Sequence, residues 1–247
     1  MEKFKKIIKY LNVVLIFFIL IIFNKELLLP KDGPISLSQE IISSAEKRTL
    51  LIEWGSASWS GVILESSLNR IKILTIIHED AMKKIKSSDN QDLLVSTGFG
   101  KNYKGKIKKW DSCNEISIVE IDSTEKAPFL SKLDLETGNG HISQDLFSFG
   151  HPLGLNIHYS EGYLSSVGNK IKPCGMITNG FSGGTVPGQT GSGVWNNEGK
   201  LSGLIVATSA FPVKTLNKDG EQIGQSIIPI TFLGRFVPSS EIKKFLK

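Results

Sequence analysis

A glycine-rich loop at residues 187–193, PGQTGSG, places hydroxyl side chains at Thr190 and Ser192. Glycine adopts backbone angles closed to other residues and lets a ligand approach the main chain. Consecutive backbone N–H groups in such a loop can point at one spot and stabilise a developing oxyanion. A hydroxyl there, with a histidine in reach, is the core of acyl-transfer chemistry. Taken alone, the loop fits a hairpin between two strands better, so the other motifs must decide.

Two groups suited to the same chemistry precede this loop. His78 follows the apolar run at residues 73–77, and Glu115 precedes the apolar run at residues 116–121. A lone histidine after an apolar strand is usually structural or exposed. A carboxylate at the mouth of a strand is usually a strand-end charge. Neither residue alone predicts a site.

The elements that must position these residues are short β-type runs, which begin at Thr49 and are separated by Gly, Asn, Asp and Ser. Strands at this spacing, without βαβ alternation, predict an all-β barrel or sandwich. A short C-terminal helix is expected, in which Ser239 or Ser240 caps residues 241–247. Clear runs lie at residues 49–54, 59–65, 71–77, 93–97, 116–121, 146–149, 194–195 and 201–207.

The N-terminal residues 1–30 predict a membrane anchor. Lysines surround an apolar run at residues 11–23, and the stretch from residue 7 to 29 supplies the roughly 20 residues that a spanning helix needs. A cleaved signal peptide has the same charge layout. No small-x-small cleavage site follows the run, which favours the uncleaved anchor. Residues 31–48 are interpreted as a linker or lead-in helix.

The charge layout of the anchor predicts a single-pass protein with a cytoplasmic N-terminus and an extracytoplasmic remainder, or a secreted protein if the segment is cleaved.

The chain of 247 residues suits one two-barrel domain or two small domains. Its net charge is +5, of which the first nine residues supply +3, so nucleic-acid binding is not indicated. Two cysteines exclude a disulfide scaffold and a cysteine-only zinc site.

Five motifs in order resemble those of trypsin-like serine proteases of the HtrA (Deg) type. They are SGVIL at 60–64, LTIIH at 74–78, DSCNE at 111–115, GHPLGL at 150–155 and GQTGSG at 188–193. The resemblance covers roughly residues 45–247. It implies a double six-stranded β-barrel with a peptidase domain at residues 49–247. It also implies polypeptide substrates and neither a metal nor an organic cofactor. The family's PDZ domain is not in this sequence, and no oligomeric state is indicated.

Carried over by position, the resemblance places His78 at the general base, Glu115 at its orienting carboxylate and Thr190 at the nucleophile. The backbone N–H groups of Gly188 and Thr190 would form the oxyanion hole. The order histidine, acid, nucleophile is that of the chymotrypsin-like arrangement. Two positions depart from the family, which has aspartate at Glu115 and serine at Thr190.

Each departure leaves an alternative open. Asp111 is the alternative acid, although it aligns with a turn aspartate of the family. Ser192 is the alternative nucleophile. Thr190 is preferred because it keeps glycine two residues before it and directly after it, at Gly188 and Gly191.

The resemblance also assigns a substrate pocket, with Gly184 near its base and Ala207, Thr208 and Ser209 along its wall. No acidic residue lies at these positions, so a small or apolar preference is expected. The loops that carry Cys113 and Cys174 approach each other in the resembling fold. An oxidising compartment would permit a disulfide between them, a question that the sequence leaves open.

His141, His151 and His158 lack the spacing of zinc motifs, so no metal site is predicted.

The sequence therefore predicts a membrane-anchored, extracytoplasmic serine-type endopeptidase with an altered triad. The main rival is a catalytically inactive homologue that binds peptides or a partner protein. A third reading is a β-barrel module with a purely structural role, because a fold does not imply an activity.

Overall fold

The computed structural model describes residues 37–67, 69–97, 102–122, 131–138, 140–171, 174–216 and 222–247. Within these ranges the chain forms three α-helices and twelve strands. The predicted membrane anchor lies outside the described residues. In the described part, no helix is both long and apolar enough to cross a membrane.

Strands β1–β6 close into an antiparallel barrel in the order β1-β2-β3-β6-β5-β4. Alternate side chains of these strands point inward, as Leu50 and Ile52 of β1 do, and the core is mainly branched aliphatic. Helix α1 precedes the barrel, and α2 follows β3 and adds Met82 and Ile85 to the core. The elements are α1 Gln39–Arg48, β1 Thr49–Trp54, β2 Ala57–Ser67, β3 Arg70–Ile76, α2 Glu79–Ser87, β4 Leu93–Thr97, β5 Asn102–Trp110 and β6 Ile116–Asp122.

The next six strands form a second closed barrel, in the order β10-β11-β12-β9-β8-β7, which repeats the topology of the first. A 3₁₀ turn at Pro152–Gly154 separates β7 from β8, and helix α3 ends the chain. The strands are β7 Asp145–Gly150, β8 His158–Lys170, β9 Ile177–Phe181, β10 Gly193–Asn196, β11 Leu201–Leu216 and β12 Gln222–Pro238, followed by α3 Ser239–Leu246. The core cluster is Leu146, Leu164, Phe181, Val194, Ile205 and Phe236.

The predicted all-β double barrel with a C-terminal helix is confirmed. The helix start is corrected, since α3 begins at Ser239 after Pro238 and not at residue 241. The expected cap by Ser239 or Ser240 is also wrong, because the N-cap residue is Pro238. Ser239 Oγ instead donates to the carbonyl of Glu136 at 2.9 Å. That bond ties α3 to the segment that connects the barrels.

The buried Arg48 at the end of α1 joins the first barrel to the connecting segment. Its guanidinium donates to the carbonyl of Ile63 in β2 at 3.3 Å and to the carbonyl and hydroxyl of Ser131 at 3.0 and 3.3 Å. Burial lowers the pKa of Arg48, with Asp134 opposing that shift. These bonds fix α1 against the barrel, since a buried carbonyl must keep a donor.

We expect Arg48→Met to lower the free energy of unfolding by about 1–3 kcal/mol, because the buried carbonyl of Ile63 loses a charged donor while the apolar stem is kept. Urea unfolding followed by tryptophan fluorescence measures this change. Lys47→Met, at the preceding exposed position, is the matched control and should shift stability by less than about 0.5 kcal/mol. Equal effects of the two substitutions would contradict the assigned role of Arg48.

Candidate active site

Two successive turns shape the glycine-rich loop between β9 and β10. Gln189 N–H donates to the carbonyl of Val186 at 3.2 Å, and Ser192 N–H donates to the carbonyl of Gln189 at 2.9 Å. The third residue of each turn is a glycine with positive φ, +91° at Gly188 and +85° at Gly191, as a type II turn requires. Among the described residues, neither Gly188 N–H nor Thr190 N–H has an acceptor.

Strands of the first barrel hold this loop in place. Ser60 N–H, in β2, donates to the carbonyl of Thr190 at 2.8 Å, and Ser60 Oγ donates to the carbonyl of Gly188 at 3.2 Å. Thr75 Oγ1, in β3, donates in turn to the carbonyl of Ser60 at 2.6 Å. A Cβ atom at Gly191 would lie 2.0 Å from Ser60 O, so only glycine fits there. The loop therefore rests on β2 and β3.

His78 follows β3 directly and is paired with a buried carboxylate. His78 Nδ1 lies 2.8 Å from Glu115 Oε2, and Glu115 Oε1 accepts the N–H of Glu79 at 2.9 Å. Glu115 is only 3% exposed, whereas the His78 side chain is 44% exposed. Burying a carboxylate is costly unless it is paired, and both oxygens of Glu115 are paired. The bond at Nδ1 thus fixes the orientation of an imidazole ring that is accessible to solvent.

Helix α2 contributes to the position of the carboxylate. Glu79 is the first residue of α2, and His78 is its N-cap. The first N–H groups of a helix lack partners within the helix, and the helix dipole favours negative charge at that end. Glu115 therefore caps α2 while it orients His78. It does so from a backbone with φ of +56°, which is uncommon for a residue other than glycine.

The alternative acid, Asp111, binds within its own turn. Its Oδ1 accepts the N–H groups of Cys113 and Asn114 at 2.8 and 3.3 Å, and its Oδ2 accepts Asn114 Nδ2 at 2.8 Å. Trp110, just before it, donates its indole N–H to the carbonyl of Ile77 at 3.1 Å. Asp111 thus shapes the turn that leads to Glu115.

The alternative nucleophile, Ser192, is fully buried. Its hydroxyl has no hydrogen-bond partner among the residues that the structure describes. A Cβ atom at Gly150 would lie 1.9 Å from Ser192 Oγ, so Ser192 fills the space that this glycine leaves. Thr190 is half-buried. Of the two hydroxyl residues, Thr190 is the one with solvent access.

A disulfide joins Cys113 and Cys174, with a Cα–Cα distance of 5.7 Å. Cys113 lies in the turn between β5 and β6, two residues before Glu115, and Cys174 lies between β8 and β9. The bond therefore links the two barrels beside the buried carboxylate. The sequence left this pairing open, because two cysteines do not show whether their loops meet.

The predicted substrate pocket is described in part. Gly184 is exposed, and Ala207 in β11 is half-buried. The backbones of Thr208 and Ser209 pair with Gly234 and Ile230 of β12, and their side chains lie outside the described part.

The hydroxyls of Ser60 and Thr75, which support the glycine-rich loop, were not predicted as site residues. They lie inside the SGVIL and LTIIH motifs, which is the one signal that could have pointed to them.

The chain belongs to the trypsin-like peptidase family. The family described as "Trypsin-like peptidase domain" matches residues 59–204, more than half of the chain. With the two barrels, this match defines a trypsin-like serine protease fold with homology to HtrA-type proteases, as the motifs predicted.

Similar curated proteins include those named "Serine protease HtrA-like" from Staphylococcus aureus strains USA300, NCTC 8325 and COL. Each is 23% identical over 165 residues, which cover 62% of this chain and 20% of the relative. The match therefore spans about a fifth of the length of these relatives.

Two solved structures of Rv3671c are similar in fold. One is an inactive mutant form from M. tuberculosis H37Rv, with a TM-score of 0.61 and 13% identity over 88% of this chain and 94% of that chain. The other is described as the protease in an inactive form, with a TM-score of 0.62 and 12% identity over 88% of this chain and 96% of that chain. These likenesses support the fold.

We expect the double substitution Cys113→Ser, Cys174→Ser to lower the free energy of unfolding by about 2–5 kcal/mol, because the unfolded chain is no longer cross-linked. Urea unfolding of the wild type with and without a thiol reductant gives the same comparison without mutation. The double variant serves as the control, because a reductant should leave its unfolding midpoint unchanged. A wild type whose midpoint is insensitive to complete reduction would contradict a stabilising role of the disulfide.

Proposed function

We propose that this chain is a serine-type endopeptidase that works with an altered triad of His78, Glu115 and Thr190. The observation that carries the proposal is the 2.8 Å contact between His78 Nδ1 and the buried carboxylate of Glu115. An exposed imidazole held by a buried carboxylate is the arrangement of a general base, whose remaining nitrogen can accept a proton. Family membership supplies the reaction class.

In the proposed mechanism, Thr190 Oγ1 attacks the scissile carbonyl while His78 Nε2 takes its proton. The buried carboxylate of Glu115 keeps the proton on Nδ1 in the free enzyme and stabilises the imidazolium that forms. The oxyanion accepts hydrogen bonds from the N–H groups of Gly188 and Thr190. His78 then protonates the leaving amine, and water releases the acyl group from Thr190 with the same base.

Thr190 makes this triad less efficient than one built on serine. The β-branch of threonine restricts χ1 and adds a methyl group beside the attacking oxygen. A small misplacement of a reacting atom can cost about 100-fold in rate. We therefore propose a slow peptidase, with a preference for a small or apolar residue at the pocket of Gly184 and Ala207.

The proposal also includes the cellular location of the protein. We propose that the N-terminal 30 residues anchor the chain in a membrane and that the peptidase domain is extracytoplasmic. The disulfide between Cys113 and Cys174 supports this location, because such bonds persist in oxidising compartments.

A second candidate function is peptide binding without turnover. The departures from the family at Glu115 and Thr190 favour it, because both affect the triad. The cleft would then hold a peptide across the glycine-rich loop, and no covalent intermediate would form.

We expect Glu115→Gln to lower kcat/KM on casein-derived peptides by about 10³-fold, because the amide keeps the shape but removes the charge that stabilises the imidazolium. Asp111→Asn is the matched control, and its amide oxygen still accepts the turn N–H groups. We expect that control to retain activity within about threefold of the wild type. Thr190→Ser should raise the activity, and His78→Ala should abolish it.

The activities of these variants distinguish the proposed triad from a triad with Asp111 and from peptide binding without turnover. A larger loss in Asp111→Asn than in Glu115→Gln would assign the acid to Asp111 and contradict the proposed triad. A folded wild type and Thr190→Ser variant that both leave every peptide intact, yet bind peptides, would favour the second candidate.

A further inference from the structure

The 3₁₀ turn at Pro152–Gly154 and its C-cap residue, Leu155, present two exposed leucines beside the glycine-rich loop. Leu153 is 66% exposed and Leu155 is 63% exposed. Single exposed apolar residues are common on protein surfaces and need no explanation. These two differ, because the turn that carries them is bonded to the loop that holds Gly188 and Thr190.

The contact with the loop is close and made by backbone atoms. Leu153 N–H donates to the carbonyl of Pro187 at 2.9 Å. A Cβ atom at Gly188 would lie 2.3 Å from Leu153 N and 2.8 Å from the carbonyl oxygen of His151. Gly188 therefore lets the turn pack directly against one of the proposed oxyanion donors.

Further bonds make the turn rigid. His151 N–H donates to Ser60 Oγ at 2.8 Å, and His151 Nδ1 donates to the carbonyl of Leu155 at 2.9 Å. Leu153 has φ of 53° and ψ of 25°, in the left-handed region that few residues other than glycine adopt. Such a backbone persists where its surroundings over-determine it, and it is common at sites of function. The backbone that carries the two leucines is therefore held in place.

The position of the turn tells which half of a substrate it meets. Strand β11 borders the loop at its other end, where Gly191 N–H donates to the carbonyl of Ile205 at 2.7 Å. Ala207, on the proposed wall of the pocket for the acyl half, lies two residues further along β11. With its acyl half in the proposed pocket at Ala207, a peptide that crosses Thr190 would direct its leaving half toward the turn of Leu153, at the other end of the loop.

We propose that Leu153 and Leu155 form a subsite that selects an apolar residue at the first or second position after the scissile bond. The inference rests on the proposed endopeptidase function and adds a substrate class to it, peptides with an apolar leaving half. Such a residue would remove apolar surface of both leucines from water, which favours binding of the matching peptide.

The experiment begins with a library of unmodified peptides digested by the full chain in detergent, with cleavage sites identified by mass spectrometry. We expect the new N-termini to be enriched in Leu, Ile, Val or Phe at their first or second residue. The best site then gives a pair of peptides, one with the apolar residue and one with serine in its place. It also gives a chromogenic ester with the same acyl half and no leaving-side residue.

The variants are Leu153→Asn, since asparagine tolerates left-handed backbone, and Leu155→Ser. For each, the ratio of kcat/KM for the apolar peptide to that for the ester should fall about fivefold. Ile142→Ser is the matched control, since Ile142 is 58% exposed in the same barrel and lies before β7. That ratio should be unchanged in the control.

Three results would overturn the subsite. The first is a set of product N-termini without apolar enrichment. The second is an equal fall in kcat/KM for the peptide and the ester in the leucine variants. The third is a fall in the peptide-to-ester ratio of Ile142→Ser that equals the fall in the leucine variants. Labelling by a fluorophosphonate probe separates this failure from that of the function, because the probe needs no leaving-side residue. Labelling with unbiased cleavage overturns the subsite alone. If the probe does not label the folded protein and no peptide is cleaved, the proposed function and the subsite are both overturned.

Discussion

The backbone bond from Ser60 N–H to the carbonyl of Thr190, 2.8 Å long, connects the two halves of the proposed catalytic machinery. His78 and Glu115 belong to the first barrel, whereas the glycine-rich loop belongs to the second. The proposed base and the proposed nucleophile therefore lie in different barrels. The bond sets where the loop lies relative to β2 and β3, and the hydroxyl of Thr75 donates to the carbonyl of Ser60. Gly191 makes this approach possible, because any larger residue would collide with Ser60.

The charge of the site is set by a second constraint, the burial of Glu115. A buried carboxylate is unfavourable without partners, so both its oxygens are bonded, one to His78 and one to the start of α2. Three features hold the short segment around it: the Asp111 turn, the indole bond of Trp110 and the disulfide at Cys113. The longer side chain of glutamate thus still reaches the histidine.

The sequence predicted most of the fold where apolar runs are continuous. The runs at residues 49–54 and 93–97 coincide with β1 and β4. Strand β5 was not among the runs, because its outward side chains at Lys104, Lys106 and Lys108 interrupt any apolar stretch. The C-terminal helix was expected two residues late, because the hydroxyl of Ser239 binds a distant carbonyl and a local cap signal cannot show that.

The candidate site could be predicted only as a set of positions. The motifs named His78, Glu115 and Thr190, but the sequence holds no information on the rotamer that joins His78 to Glu115. Nor could it tell that Ser192 is buried against Gly150, since that contact joins distant segments. The pairing of Cys113 with Cys174 depends in the same way on how the loops of two barrels meet.

Thr190, activated by His78, is the proposed nucleophile, and the residue that a covalent inhibitor modifies decides between Thr190 and Ser192. The full chain would react with a fluorophosphonate, and tandem mass spectrometry of its digest would locate the phosphonate. We expect one adduct, on Thr190, that is absent in His78→Ala. An adduct on Ser192, or none on a protein shown to be folded, would contradict it.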